Sequence, residues 1–213
     1  MKYNSYRYIY GPRPENTIHP KELDSWDNGS LIGQPKMNGS NCLIFTNGSK
    51  IQVMNRHHDV LTNFKIKPDE IVESLFRGEK GNWFAINGEY MNKSKMDEKG
   101  LVFNHKFVIF DILVLDGDYM VGKTNTQRID LLNDLYGTKD SEKDYLYSVS
   151  ENIYRVKSYT SGFKSLYDRL TKIDMVEGLV MKRREARLEM GTTEKNNTKS
   201  QLKCRKETKN YKY

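Results

Sequence analysis

The chain has 213 residues, enough for one well-buried domain of about 100–200 residues and too few for two of ordinary size. Hydrophobic residues make up 37% of it and charged residues 30%, and no apolar run approaches the roughly 20 residues that cross a bilayer, so we expect a soluble protein with no membrane partner. The polar, aromatic N-terminus lacks the apolar core of a secretory signal, which predicts a cytoplasmic protein.

The net charge of +7 is concentrated towards the end of the chain. Residues 182–213 hold eleven Lys and Arg against four Glu, so this basic C-terminal segment carries all of the excess. Such a run is typical of a solvated surface, and equally of a contact with a polyanion, because basic side chains give sequence-independent affinity for phosphate backbones. Composition alone leaves both interpretations open. On the second one, the candidate nucleic-acid contacts in this segment are Arg184, Arg187, Arg205, Lys206 and Lys209.

Strand patterns dominate the chain. The first hairpin is indicated by Asn47-Gly48 between two apolar runs, a strong short-range signal. A second is indicated where Asp116-Gly117 separates a long apolar run from Tyr119-Met120. The predicted strands cover residues 41–45, 50–54, 83–91, 107–115, 178–182 and 201–205.

Helical patterns are fewer. Three helices are predicted: 69–76 after Pro68, 126–135 with Thr124 or Thr126 as the cap, and 163–173 after Ser161. Strands outnumber helices and do not alternate regularly with them. This predicts an α+β fold of mostly antiparallel sheets with flanking helices. With no internal repeat and no Pro/Gly linker, residues 1–213 are predicted to form one domain.

The first candidate for chemistry is Lys36 in the run Gln34-Pro35-Lys36-Met37-Asn38-Gly39, where a glycine follows the lysine by three residues, just before a predicted strand. A glycine there permits a tight turn and close approach of a phosphate to the backbone. A lysine attacks phosphorus only as the neutral amine, so such a site must lower its pKa or remove its proton. Taken alone, the pattern is more typical of a surface turn.

An ordered series of short motifs follows Lys36. It consists of Asn55-Arg56, residues 84–89 (FAINGE), residues 107–113 (FVIFDIL), residues 177–182 (EGLVMK) and residues 202–205 (LKCR). This order resembles the covalent nucleotidyltransferase superfamily of ATP-dependent DNA ligases, RNA ligases and mRNA capping enzymes. The resemblance extends over nearly the whole chain, from Lys36 to Arg205.

The resemblance implies an activity and a nucleotide site. Lys36 would take AMP from ATP as a lysyl-AMP phosphoramidate and pass it to a nucleic-acid 5′-phosphate, which is then sealed to a 3′-OH. Gln34 matches the position that reads the adenine edge, and Phe110 would stack on the adenine. Glu89 would accept a hydrogen bond from the ribose. Arg56 matches an arginine that contacts the nucleotide sugar and later the substrate phosphate.

The resemblance also implies how phosphate charge is handled. Lys182 and Lys203 match the lysines that hold the α-phosphate, and with Lys36 they form the predicted catalytic set. Glu177 matches the carboxylate that helps to position Mg²⁺ (or Mn²⁺). Cations at these positions would offset the charge that develops on phosphorus. Without the resemblance, the same side chains have ordinary structural roles, Phe110 in a core and Glu89 or Glu177 in turns.

The motifs differ in the substrate that they favour. Asn38 and Asn41 depart from the Asp and Arg usual in DNA ligases and are similar to one branch of RNA-repair ligases. Residues 107–135, including Arg128, instead look like small ATP-dependent DNA ligases of the phage or viral type. Arg205 replaces a frequent second lysine in the last motif. We predict a ligase for nicks in duplex DNA, with sealing of RNA or hybrid nicks as the alternative.

The chain ends soon after the last motif, so we expect no C-terminal OB-fold domain, which argues against a capping enzyme. The basic C-terminal segment then becomes the candidate for holding a nicked duplex of DNA, RNA or hybrid, with the protein acting as a monomer. If a phage encodes it, the protein would work in the host cytosol. A catalytically inactive nucleic-acid-binding module is the non-enzymatic alternative, disfavoured because Lys36, Glu89, Glu177, Lys182 and Lys203 are all present.

Overall fold

The computed structural model describes residues 2–3 and 5–208. Eleven strands and three α-helices follow one another along this part of the chain, with a short 3-10 turn at Pro20–Glu22. The elements are β1 (Arg13–Thr17), β2 (Leu31–Met37), β3 (Ser40–Thr46), β4 (Ile51–Asn55), α1 (Pro68–Leu75), β5 (Phe84–Met91), β6 (Lys106–Leu115), β7 (Asp118–Tyr119), α2 (Asn125–Tyr136), β8 (Leu146–Ser148), β9 (Ile153–Val156), α3 (Phe163–Leu170), β10 (Val176–Arg183) and β11 (Asn197–Arg205).

The predicted α+β class is confirmed, since every predicted helix and strand is present with its ends shifted by a few residues. Four strands, β1, β2, β8 and β9, were not predicted. All four are short or contain proline, so the local sequence gives a weak strand signal.

The most consequential difference concerns Lys36, which lies inside β2 and not in a turn before a strand. Pro35 disguises this strand, because proline lacks the N–H that a sheet ladder needs. β2 tolerates it as the edge strand of its sheet. Gly33, two residues earlier and so on the same side of the ladder, donates outward to the carbonyl of Tyr159 at 2.8 Å. The missing donor of Pro35 therefore faces away from the paired strand β10.

The strands form two sheets. One has four strands in the order β1-β11-β10-β2, and the other runs β4-β3-β5-β6-β9-β8 with β7 paired to β6. Only the β1–β11 and β6–β9 pairs are parallel. The mostly antiparallel arrangement agrees with the prediction.

Each sheet has one apolar face covered by helices. On the four-stranded sheet, Leu179 and Met181 of β10 are fully buried in a cluster that includes Phe163 and Leu170 of α3. On the larger sheet, Ile86 and Ile109 belong to a second cluster with side chains of α1 and α2. The opposite face of the larger sheet carries a third apolar cluster with Leu43, Phe45 and Ala85, whereas the opposite face of the four-stranded sheet carries polar side chains. No helix in the described part of the chain is long and apolar enough to cross a membrane.

Helix α2 begins with a capping box that decides between the two predicted caps. The Thr124 hydroxyl accepts from the backbone N–H of Gln127 at 3.1 Å, and the Gln127 side chain accepts from the Thr124 N–H at 3.0 Å. Thr126 instead donates to the carbonyl of Arg184 at 3.1 Å. Thr124 is therefore the N-cap, and it fixes the first turn of the helix that carries Arg128.

Thr124→Ala should lower the free energy of unfolding by about 1 kcal/mol, because it leaves the Gln127 N–H without its acceptor. Thr124→Ser keeps the hydroxyl and should retain most of the stability. Urea denaturation followed by circular dichroism measures both variants. Equal stability of the alanine and serine variants would contradict the assignment of the cap.

Candidate active site

The register of the four-stranded sheet decides which predicted residues meet. Cross-strand partners in a sheet project from the same face, and residues two apart along a strand share that face. Lys36 and Arg205 lie opposite Gly178, Gln34 and Lys203 lie opposite Val180, and Lys182 shares their face two residues further along β10. Five of the predicted site residues therefore project from the face opposite the α3 packing.

Glu177 joins the ends of three strands. Its Oε1 accepts a hydrogen bond from the Lys36 ammonium, and its Oε2 lies 2.8 Å from Nη2 of Arg205. The β2–β10 register shifts just beside it, and Gly178 has φ 150°. A Cβ on Gly178 would lie 1.9 Å from the carbonyl oxygen of Cys204, so glycine is required where β10 bends. This bend allows Glu177 to reach Lys36.

Glu89 reaches the same place from the other sheet. It accepts a hydrogen bond from the backbone N–H of Gly39 at 3.2 Å. Burial raises its pKa to about 7; the charge of Lys36 and the Gly39 hydrogen bond oppose this rise, and the charge of Glu177 adds to it. A Cβ on Gly39 would lie 2.5 Å from the carbonyl of Tyr90, so the glycine permits close approach of β5. The turn after Lys36 and the Glu89 carboxyl are thus packed as one unit.

Lys182 is almost completely buried. Its Nζ donates to the carbonyl of Phe110 at 2.9 Å, lies 5.6 Å from the centre of the Phe110 ring and 3.7 Å from Oδ2 of Asp111. Burial lowers its pKa to about 8, although the Asp111 carboxylate opposes the decrease. Asp111 is held by Arg128 at 2.8 Å.

Lys203 belongs to a group of neighbouring cations. Its pKa is lowered by burial and by the positive charges of Lys36, Arg205 and Arg13, with Glu177 opposing them. Arg13 was missed in the sequence because it lies between Pro12 and Pro14, which weaken the strand signal of β1. It is brought here only because β1 pairs with β11.

Gln34 has a buried side-chain amide in which only the nitrogen is hydrogen bonded. Its Nε2 donates to Oγ of Ser158 at 3.0 Å, while Oε1 has no hydrogen-bond partner in the described part of the chain. An unpaired buried acceptor is unfavourable, and a ligand donor would satisfy it. Ser158 was not predicted, since it follows the unpredicted strand β9 and has no motif of its own.

Arg56 lies at the start of the turn after β4 and is exposed. Its Nε is 2.9 Å from Nε2 of His57, and its charge contributes to lowering the pKa of Glu89. Arg56 therefore lies at the opening of the site. His57 is paired with Glu194 at 2.6 Å and His58 stacks on Tyr8, so both histidines are on the surface.

The basic C-terminal segment is divided in the structure. Arg205 and Lys206 lie at the Glu177 end of β10, where Lys206 donates to the carbonyls at the end of α3 at 3.1 and 3.2 Å. Arg184 and Arg187 follow the other end of β10, beside the start of α2. The two ends of this eight-residue strand are about 23 Å apart at roughly 3.3 Å per residue. Lys209 lies outside the described residues.

The carboxylates at the site do not form a metal cage. Among residues 2–3 and 5–208, no group of three or more His, Cys, Asp and Glu side chains is placed to hold an ion. Glu177, with Glu89 electrostatically close to it, is the available donor. This donor set fits Mg²⁺, which is usually held by one or two carboxylates together with substrate phosphates and water.

Comparison with known proteins identifies the family. The sequence model of the RNA ligase family matches residues 29–203, which include Gln34, Lys36, Glu177 and Lys203. No curated protein matches the chain.

Solved structures share the fold at low sequence identity. Mycobacterial DNA ligase D complexed with ATP has a TM-score of 0.65 at 16% identity, with 92% of this chain and 60% of that one covered. A Lig E DNA ligase gives 0.55 at 14%, covering 93% and 70%. An archaeal ATP-dependent RNA ligase gives 0.52 at 14%, covering 92% and 48%. The chain thus has the nucleotidyltransferase fold of ATP-dependent ligases and spans about three fifths of the length of the DNA ligase D structure.

The raised pKa of Glu89 makes stability depend on pH in a defined direction. The unfolded carboxyl loses its proton near its usual 4.5 and the folded one near 7, so this group favours folding below 4.5 and the contribution is lost as the pH rises to 7. The positive charge of Lys36 lowers the Glu89 pKa, so Lys36→Ala should raise the Glu89 pKa above 7. The ¹³C chemical shift of the Glu89 carboxyl against pH measures both. A titration at the ordinary glutamate value would contradict the burial argument.

Proposed function

The chain belongs to the RNA ligase family, and on this premise we propose that it is an ATP-dependent polynucleotide ligase that works through lysyl-AMP on Lys36. Lys36 takes AMP from ATP, the AMP passes to a nucleic-acid 5′-phosphate, and a 3′-OH then displaces AMP to form the phosphodiester. The contact between Lys36 and Glu177, on a face that also carries Lys182, Lys203 and Arg205, is the observation that supports this proposal best.

The first step needs a neutral amine at Lys36. The Lys36 nitrogen forms a bond to the α-phosphorus as the bond from that phosphorus to the bridging oxygen breaks, and pyrophosphate leaves. The protons that the Lys36 ammonium loses pass to the solvent, and Glu177, to which Lys36 is hydrogen bonded, holds the amine in position for the attack. Arg205 on the second oxygen of Glu177 fixes the orientation of the carboxylate.

Phosphate charge is balanced by the buried lysines. Lys182 and Lys203 hold the α-phosphate oxygens in this proposal, and partial burial strengthens each interaction by excluding water. With a pKa near 8, Lys182 is largely protonated at neutral pH, as this role requires. Mg²⁺ or Mn²⁺ held through Glu177 would neutralise further oxygens of the triphosphate.

Gln34, Phe110, Glu89 and Arg56 complete the nucleotide site in this proposal. The unpaired Oε1 of Gln34 is an acceptor suited to the exocyclic amine of adenine. Phe110 provides an aromatic face beside the Lys182 amine for stacking the base. The Glu89 carboxyl accepts a hydrogen bond from the ribose, and the exposed Arg56 contacts first the nucleotide and then the substrate phosphate. ATP is therefore preferred over GTP.

The substrate is proposed to be a nick in a duplex. Residues 107–135 resemble small DNA ligases and favour a DNA nick, and the DNA ligase D structure shares the fold. The family match, with Asn38 and Asn41, favours RNA at the nick as the second candidate. Sealing rates of the adenylylated protein on nicked DNA, nicked RNA and the two hybrid duplexes decide between them.

Lys36→Ala should abolish covalent labelling by α-labelled ATP with Mg²⁺, because no other group at this position forms the phosphoramidate. Labelled protein resolved by denaturing electrophoresis is the measurement, and circular dichroism checks that the variant is folded. Lys50→Ala, at an exposed lysine in the hairpin after β3, is the matched control and should label like the parent. Labelling that persists in Lys36→Ala would remove the proposed nucleophile, whereas a parent that binds nucleic acid without labelling would favour the inactive module.

Arg184 and Arg187 are proposed to contact the duplex, since they lie at the exposed end of β10 away from the Glu177 contacts. Reversing both to Glu should leave Lys36 adenylylation nearly unchanged while nick sealing falls about tenfold or more at moderate salt, and the salt dependence becomes shallower. Lys67→Glu with Lys80→Glu makes the same charge change at exposed positions near α1. If both double variants seal nicks equally well, Arg184 and Arg187 do not form a specific contact with the duplex.

A further inference from the structure

Arg128 is a buried arginine whose guanidinium group donates hydrogen bonds to Asp111, Asn125 and Lys123. Its Nε and Nη2 bind the two oxygens of Asp111 at 2.8 and 3.0 Å, Nη2 also reaches Oδ1 of Asn125 at 2.8 Å, and Nη1 donates to the carbonyl of Lys123 at 2.9 Å. Only 2% of its side chain is exposed. Arg128 and Asp111 therefore form a buried bidentate pair.

Lys182 lies on the other side of the same carboxylate. Its Nζ is 3.7 Å from Oδ2 of Asp111, beyond hydrogen-bonding distance, and its hydrogen bond goes to the uncharged carbonyl of Phe110. A buried ammonium beside a buried carboxylate would ordinarily close to a direct ion pair. Here the carboxylate is turned towards Arg128, so the ammonium keeps donors for another anion.

We infer that Arg128 is a positioning residue, which holds the Asp111 carboxylate away from Lys182 and so keeps the Lys182 ammonium available for a phosphate. Without Arg128, Asp111 becomes the anion that occupies Lys182. The inference rests on the proposed role of Lys182 in phosphate binding. It explains why α2 carries a buried arginine although none of the proposed nucleotide-binding residues lies on this helix.

The charged groups that act on Lys182 have opposite effects. Asp111 of β6 raises its pKa and Arg128 of α2 lowers it, while burial sets the overall decrease to about 8. Loss of Arg128 removes a repelling cation and allows a direct pair with Asp111, and both changes raise the pKa of Lys182. Loss of the Asp111 charge lowers it. These signs follow from the charges alone, so the recovery of activity in the double variant is the result that a purely structural role for the Arg128–Asp111 pair would not give.

The test combines Arg128→Met, Asp111→Asn and the double variant. Arg128→Met should raise the pKa of Lys182 above 8 and lower kcat/KM for adenylylation by ATP about tenfold, the size of one coupled contact. Asp111→Asn should move the Lys182 pKa downwards. In the double variant the neutral amide does not capture Lys182, so kcat/KM should recover relative to Arg128→Met.

Two measurements separate this inference from the proposed function. The ¹³Cε resonance of Lys182, assigned with Lys182→Arg, reports its pKa without any reaction, and the label on Lys36 reports the activity. Absence of labelling in the parent protein overturns the proposed function, and the resonance still tests the effect of Arg128. An unchanged or lowered Lys182 pKa in Arg128→Met overturns the inference, as does a double variant no more active than Arg128→Met in a protein that labels.

Two further variants control for folding. Arg155→Met removes another fully buried arginine, which donates to the carbonyl of Gly137 at the end of α2. It should lower the melting temperature without moving the Lys182 titration. If Arg128→Met is unfolded by circular dichroism, Arg128→Lys takes its place, because a single ammonium engages Asp111 less completely than the guanidinium fork. Arg128→Lys should then show the same upward direction of the Lys182 pKa.

Discussion

The pairing of β2 with β10 is the contact on which the candidate site depends. It brings Lys36 beside Glu177, 141 residues away in the chain, and it sets the register that turns Gln34 and Lys36 towards one face. β2 is an edge strand and contains Pro35, which weakens its pairing. Because side chains alternate between the faces of a sheet, a register shift of one residue would send Lys36 to the apolar face packed on α3. The bend at Gly178, the Lys36–Glu177 hydrogen bond and the two hydrogen bonds between Gly33 and Tyr159 all oppose such a shift.

That face concentrates positive charge in a partly buried place, which is costly without counter-charges. The described structure supplies three carboxylates with separate tasks. Glu177 joins Lys36 and Arg205, Glu89 is supplied by the opposite sheet with a pKa near neutrality, and Asp111 is occupied by Arg128. Lys182 lies 3.7 Å from Asp111, a carboxylate already held by Arg128, and the pKa values of both Lys182 and Lys203 are lowered. A bound polyanion would relieve this imbalance, which is why the arrangement suits nucleotide phosphate.

The distribution of charge also refines the role of the basic C-terminal segment. Its residues are close in sequence but lie in different environments, because β10 and β11 are antiparallel and place them at both ends of the strand pair. Lys182 is buried, while Arg205 and Lys206 contact groups near Glu177 and α3. Arg184 and Arg187 remain at the far end, beside the capped start of α2. One run of charge thus divides into a part at the candidate site and a part at the surface.

The sequence by itself determined the α+β class, the three helices and the order of the motifs, because these depend on local signals: apolar spacing, capping residues and an Asn-Gly turn. The residues predicted from the motifs on β2, β10 and β11 do lie on one face. The tertiary structure alone decided that Lys36 is in a strand, that Thr124 is the cap, and that Arg13, Ser158 and Arg128 lie at or behind the candidate site. These last three are placed by pairing between distant segments, Gln34 and Ser158 being 124 residues apart. Such pairing is set by which buried groups satisfy one another in three dimensions, and no local pattern in the sequence encodes it.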